Sequence, residues 1–242
     1  MKGTSMKAVV TGASNGIGES IARALQASGT EVIGLDVEPG AGGFESIAVD
    51  LSDAASVVEV ATRLAPRGID ILVNCAGIFT ANPLLELDLA AYRRLLAIDL
   101  DAAVLLMKHL GAGMAERGWG RIVNVTSVHA EVGEPGCLAY DVAKAGLEAA
   151  TRVAAIELAD HGVLVNAVAP GFVRTRMAMT DGVDELEKPE FRSIYLEHAR
   201  LPLRRSAAPE EVAALVLWLA GPANTYVTGE TIKVDGGLTI RL

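Results

Sequence analysis

The sequence predicts an α/β fold: a doubly wound, seven-stranded parallel sheet flanked by helices, in a single domain over residues 1–242. Three observations predict it. Seven short apolar runs alternate with longer stretches of helical periodicity, the rhythm of βαβ units. Those runs are apolar at successive positions, as strands covered on both faces must be. The length of 242 residues is one that α/β folds often keep as a single domain.

The first strand, Met6–Thr11, runs into a glycine-rich turn and a helix over Gly16–Ala27. Strands follow at Glu31–Asp36, Ser46–Asp50 and Ile69–Asn74, the last two separated by a helix at Ala54–Leu64. A long helical pattern, Ala90–Arg117, leads to the strand Arg121–Ser127. Helices at Ala139–Leu158 and Pro209–Leu219 precede the strands Val163–Ala169 and Thr231–Val234. Only nine residues, Val37 to Glu45, join the second and third strands, which predicts a short or degraded helix there. Residues 171–203 break the rhythm with charges, Pro189 and Pro202. Because they follow a strand's C-terminal end, where such sheets bind ligands, they read as a partly helical lid; the bland reading is a surface excursion.

Composition narrows the function. A net charge of −9 repels phosphate backbones, which excludes nucleic acid as a natural partner. The two cysteines, Cys75 and Cys137, form no Cys-x-x-Cys pair and no cluster with metal spacing, so no metal is expected and a reducing compartment is. No apolar run approaches the ~18 residues of a membrane span, and the N-terminus shows no secretory pattern. The expectation is a soluble, cytoplasmic protein. Met6 offers a second start, so Met1 to Ser5 is left out of the fold reasoning.

The turn after the first strand reads Thr11-Gly12-Ala13-Ser14-Asn15-Gly16-Ile17-Gly18. Gly12 permits a tight turn, and Gly16 and Gly18 let a helix N-terminus approach a pyrophosphate and the sheet. A glycine triplet alone is weak; between a strand and a helix it has the required context. The second strand ends in Asp36, an acceptor for both hydroxyls of an adenosine ribose. No Lys or Arg lies between Gly34 and Val49 to receive a 2′-phosphate, so NAD is the expected cofactor. Asp50, followed by Leu51, either meets an adenine amino group or caps the next helix. Asn74 either approaches the cofactor, ahead of the small residues Ala76 and Gly77, or braces the sheet. Cys75 reads as a small buried residue rather than a nucleophile.

The chemistry lies further on. Ser127 ends the fifth strand, and thirteen residues later Tyr140-Asp141-Val142-Ala143-Lys144 opens a helix. Tyr140 and Lys144, at i and i+4, share a helix face, and an ammonium beside a phenol is expected to lower its pKa. A serine hydroxyl at the adjacent strand end can hold a substrate oxygen while the tyrosine moves a proton.

With these residues quoted, the chain resembles the short-chain dehydrogenase/reductase family from about Met6 to Leu238. Further matches are Asn166-Ala167-Val168-Ala169-Pro170-Gly171 and Gly229-Glu230-Thr231-Ile232-Lys233-Val234-Asp235-Gly236-Gly237. The resemblance implies a Rossmann fold and a hydride exchanged between nicotinamide and a secondary alcohol or ketone, such as a sugar, polyol, hydroxy acid or 3-oxoacyl compound. It implies Tyr140 as proton donor and acceptor, Lys144 on the nicotinamide ribose and Ser127 on the carbonyl. It places Pro170, Gly171, Val173 and Thr175 along the nicotinamide, and implies a homo-oligomer, tetramer or dimer. One departure stands out. The family usually has Asn in the stretch that here reads Ile98-Asp99-Leu100. An ionised Asp99 cannot donate a hydrogen bond but can stabilise a nearby ammonium. Asp99 is also the only support for the alternative, an NAD-binding regulatory or scaffold protein without turnover. A third reading keeps fold and cofactor but changes the chemistry to epimerisation or dehydration.

The remaining signals are weaker. His129 reads equally as a pocket residue or a core or surface histidine, and Arg174 and Arg176 as solvated lid residues. Asp141 reads as solvent-exposed, 181–190 as a solvated acidic face, and Val212–Leu219 as core or interface.

Overall fold

The computed structural model describes residues 5–40, 42–180 and 182–240. Met1 to Thr4 and Asp181 lie outside the described residues. The strands of the main sheet are β1 (Lys7–Thr11), β2 (Glu31–Asp36), β3 (Glu45–Ala48), β4 (Ile71–Asn74), β5 (Gly120–Val125) and β6 (Val163–Pro170). A two-stranded hairpin, β7 (Met179–Thr180) and β8 (Val183–Asp184), comes before the last sheet strand, β9 (Thr231–Val234). The seven strands lie parallel in the order β3-β2-β1-β4-β5-β6-β9, the expected doubly wound sheet.

Alternation along the strands builds two cores. Ala8 and Val10 of β1 face α1 (Gly16–Ala27) and α7 (Pro209–Ala220), joined by Ile21, Leu25, Val212 and Val216. Val9 faces the other side, with Val57 and Leu64 of α2 (Ala54–Leu64), Leu106 and Leu110 of α4 (Ala102–Arg117) and Ala155 of α5 (Leu138–Leu158). Successive residues pointing to opposite faces are what make these strands read as continuous apolar runs. Pro209 begins α7, where its missing N–H costs nothing.

Three local expectations are corrected. The β2–β3 connection contains no helical turn among its described residues. Phe44 packs against the apolar core there, so close to Gly34 that a Cβ on that glycine would lie 2.8 Å from its ring; an aromatic plug replaces the crossover helix. The long pattern over Ala90–Arg117 is not one regular helix. It comprises α3 (Leu89–Leu96), a π-helical turn at Ala97–Asp101, and α4. Such wide turns often mark functional positions, and this one carries Asp99. Finally, β5 stops at Val125, so Ser127 caps a short 3-10 turn at Val128–Ala130 instead of ending the strand.

The segment 171–203 contains the hairpin, short helical turns, α6 (Pro189–Phe191) and a π-helical turn at Arg192–Glu197. Phe172, Phe191 and Tyr195 pack edge-on or tilted at 4.7–4.8 Å, and Leu186 and Leu201 are buried. The segment thus carries a small apolar centre of its own.

Candidate active site

Two parts of the site converge on the C-terminal rim of the sheet. The first is the turn between β1 and α1. Gly12 and Gly16 have φ of +67° and +58°, the left-handed region that favours glycine. A Cβ on Gly18 would fall 2.1 Å from the Gly12 carbonyl oxygen, so that helix turn can pack only as glycine. Asn15, the N-cap of α1, makes no side-chain capping bond, which leaves the first-turn N–H groups to an anion. Ile17 packs on the adjacent core, and Thr175 sits over Gly16, its methyl 3.3 Å from where a Cβ would stand. Ser14 ties the turn to the end of β2: its N–H donates to Asp36 Oδ2 at 3.0 Å and its hydroxyl to the Glu38 carbonyl at 2.7 Å.

Asp50 does not cap α2. Its carboxylate accepts from the Ser52 N–H and hydroxyl at 2.9 and 2.7 Å, while Asp53 accepts from the Ala55 and Ser56 N–H groups at the helix start. Those bonds from Ser52 hold the Asp50 carboxyl below its ordinary range. Asp50 borders a groove of about 370 Å³ shared with Val37, Val49 and Val60, beside the end of β2. Leu51 is buried next to it. Asn74 braces the sheet, its Nδ2 donating to Asn124 Oδ1 at 2.8 Å. The Asn74 side-chain oxygen, Oδ1, is buried without a hydrogen-bond partner among the described residues. Together with Thr11, Leu51 and Asp99 it borders a cavity of about 10 Å³, the room of one water. Thr11 Oγ1 accepts from the Cys75 and Ala76 N–H groups at 2.9 and 3.0 Å, which fixes the chain before Gly77. Burial pushes the Cys75 thiol up to about 12, which removes it as a nucleophile.

The second part joins Ser127, Tyr140, Lys144 and Asp99. Ser127 follows β5, and Tyr140 and Lys144 lie in the first two turns of α5 with 8% and 3% of their surface exposed. The Ser127 hydroxyl lies near enough to the Tyr140 phenol to favour its ionised form. Lys144 Nζ lies 5.4 Å from the Tyr140 ring centre, donates to the Val125 carbonyl at 3.3 Å and pairs with Asp99 Oδ2 at 3.1 Å. Asp99 Oδ1 accepts from the Ile78 N–H at 2.8 Å. A Cβ on Gly77 would fall 2.6 Å from Asp99 Oδ2, so that glycine is required by close approach.

The electrostatics reverse one expectation. Burial dominates the Tyr140 phenol and pushes its pKa above the ordinary value; Lys144 pulls it down, and Asp99 pushes it up again. From sequence only the ammonium was visible. Burial also opposes the charges of Lys144 and Asp99: the Lys144 pKa is nonetheless raised because the carboxylate faces it, and the Asp99 carboxyl rises despite the ammonium. A buried pair of this kind is weak evidence for stability but holds the ammonium in place.

Two residues beside the site, Asp141 and Phe79, were missed in the sequence, whereas His129 reads there equally as a pocket residue or a core or surface histidine. Asp141 is not solvent-exposed: its Oδ1 lies 2.8 Å from His129 Nδ1, and both side chains are 19% exposed. Phe79 and His129 bracket the Tyr140 ring edge-on, with centres 5.4 and 5.5 Å away. No spacing rule links residues twelve positions apart on a turn and a helix. The fold also gathers His129, Cys137 and Asp141 with ligand atoms within 4.8 Å, a grouping invisible in the sequence. There the Cys137 thiol is pushed up to about 11 by burial, and Asp141 already occupies His129 Nδ1, so the donor set favours a hydrogen-bonded pair over a metal centre. Arg174 and Arg176 are exposed within segment 171–203.

A doubly wound sheet, a glycine turn open to an anion and a Ser–Tyr–Lys cluster at the same rim define a dinucleotide-dependent enzyme. The family profile described as enoyl-(acyl carrier protein) reductase matches residues 12–239. The cis-4-hydroxycyclohexanecarboxylate dehydrogenase of Sinomonas cyclohexanicum is 40% identical, covering 96% of each chain. The galactitol 2-dehydrogenase (L-tagatose-forming) of Cereibacter sphaeroides is 37% identical, over 96% of this chain and 94% of that one. Among solved structures, a candidate NAD(P)-dependent gluconate 5-dehydrogenase from Beutenbergia cavernae, with NADP at low occupancy, superposes with a TM-score of 0.90 at 34% identity, covering 98% and 97% of the two chains. The chain belongs to the short-chain dehydrogenase/reductase family. It is an oxidoreductase acting on alcohol or keto groups, and the scaffold alternative is not favoured.

Proposed function

We propose that the protein is an NAD(H)-dependent secondary-alcohol dehydrogenase or ketone reductase in which Tyr140 carries the proton. The observation that carries this is the buried Ser127–Tyr140–Lys144 cluster lying on the same sheet rim as the glycine turn. The turn fits a dinucleotide because glycine is sterically required at Gly18 and the α1 N-terminus is free of a side-chain cap. Gly12, Ser14, Asn15, Gly16, Ile17 and Gly18 would hold the pyrophosphate, Asp36 the adenosine ribose, and Asp50 and Leu51 the adenine. Asn74, Ala76 and Gly77 would flank the ribose side, and Pro170, Gly171, Val173 and Thr175 the nicotinamide. Bound there, the cofactor takes or supplies the hydride.

The chain's own residues do the rest. Ser127 orients the substrate oxygen, and Tyr140 accepts its proton in oxidation and returns it in reduction. Lys144 steadies the phenolate, and Asp99 holds Lys144 in place at 3.1 Å through a contact that an asparagine oxygen would keep. Segment 171–203 serves as the lid. The open edge of β9 and the exposed apolar residues Val142, Val153 and Ile156 of α5 support assembly with further copies. No described helix is long and apolar enough to cross a membrane, and the unpaired cysteines suit the cytoplasm.

An absorbance screen of polyols, sugars, hydroxy acids and steroids with NAD+ tests the reading. NADH formation with at least one class is expected; none with either NAD+ or NADP+ contradicts it. The raised phenol pKa makes a second test. Oxidation needs the phenolate, so its rate is expected to climb with pH into the alkaline range. The negative Asp99 raises the Tyr140 pKa, so Asp99→Asn is expected to move that rise to lower pH while turnover at neutral pH is retained or increased. A shift to higher pH, or a large loss at every pH, would give the carboxylate a different role.

A further inference from the structure

Beside the reacting groups stands a polar pair that the mechanism above does not use. His129 lies in the 3-10 turn after Ser127, and its backbone N–H donates to the Ser127 hydroxyl at 3.2 Å. Its ring meets the Tyr140 ring edge-on. The imidazole is therefore fixed relative to both groups that hold the reacting oxygen. Asp141, one residue beyond Tyr140, lies against Nδ1 at 2.8 Å. With Nδ1–H donating to that carboxylate, Nε2 is left as the imidazole's second polar atom. Nε2 lies 3.5 Å from Glu134, whose side chain is 58% exposed.

The other wall of the Tyr140 ring is apolar, formed by Phe79. The Tyr140 ring thus has an aromatic ring against it on one side and a clamped imidazole on the other. The local charge decides which polar group suits that imidazole. Asp141 and Glu134 flank it, so a substrate carboxylate would face two like charges. A hydroxyl would not, and it can donate to or accept from a ring nitrogen.

We propose that His129, held by Asp141, is a substrate-positioning subsite for a neutral hydroxyl on the carbon next to the reacting one. The preferred substrates are then vicinal diols and polyols, or the matching hydroxyketones. This inference rests on the dehydrogenase reading and narrows its substrate class. His129 is a positioning residue, and Asp141 acts through it.

The test compares a vicinal cyclohexane diol with cyclohexanol, using purified wild-type protein, His129→Leu and Asp141→Asn. Wild type is expected to favour the diol. His129→Leu keeps the bulk beside Tyr140 and is expected to raise KM for the diol about tenfold, the size of one hydrogen bond, with little change for cyclohexanol. Asp141→Asn shifts KM the same way by less, and His129→Asn restores part of the loss. Equal losses on both alcohols would show a purely structural role and overturn the proposal. So would a wild-type preference for cyclohexanol, or activity that a chelator removes and zinc restores, which would make the cluster a metal site. Oxidation of other alcohols but never of the diol defeats this inference alone; oxidation of no alcohol defeats the dehydrogenase reading as well.

Discussion

Tyr140→Phe is expected to lower kcat by about 10²- to 10⁴-fold, the range that a positioned acid/base contributes. The change deletes one oxygen and leaves the ring between Phe79 and His129. Folding is therefore expected to persist, and a thermal melt should show a Tm close to wild type. Cofactor affinity should also survive, because the glycine turn and Asp36 lie on other elements. Titration of the variant with NADH by fluorescence checks this. A variant that binds NADH and has lost turnover isolates the proton step. A loss of less than tenfold would show that another group, or water, moves the proton.

The second large effect concerns the cofactor. Asp36 stands at the C-terminal end of β2, fixed by the Ser14 N–H. A 2′-phosphate placed about 4 Å from this carboxylate would be repelled by about 4 kcal/mol at an effective dielectric of about 20. Asp36 is only half-buried, so water screens part of that. A preference for NAD(H) of at least about tenfold in kcat/KM is the expected result. Asp36→Ala is expected to weaken NAD(H) use, through loss of the ribose hydrogen bonds, and to improve NADP(H) use. Equal kcat/KM for the two cofactors in the wild type would refute this reading of Asp36. The Beutenbergia cavernae relative with NADP bound makes the comparison worthwhile.

Much of this was legible because it is local. The glycine turn announces itself between strand and helix, and Tyr140 and Lys144 share a face at i and i+4. Strand apolarity, together with the alternation of strands and helical stretches, pointed to the parallel sheet. What escaped is tertiary. The π-helical turn at Ala97–Asp101 is invisible because apolar periodicity runs through it, yet it sets Asp99 against Lys144. Asp50 and Asp53 lie three residues apart, and only the backbone geometry decides that Asp53 caps α2. The direction of the Tyr140 shift depends on burial and on Asp99, neither of which helix spacing reveals. His129 and Asp141 meet only because the turn after β5 folds back over the start of α5.

The most direct measurement is a crystal structure with NAD+ and an unreactive alcohol analogue bound. It is expected to show the diphosphate on the α1 N-terminus and Lys144 on the nicotinamide ribose. The Tyr140 and Ser127 hydroxyls should both lie within about 2.6–3.2 Å of the analogue's oxygen. A dinucleotide seated elsewhere, or an alcohol oxygen out of reach of both hydroxyls, would contradict the account.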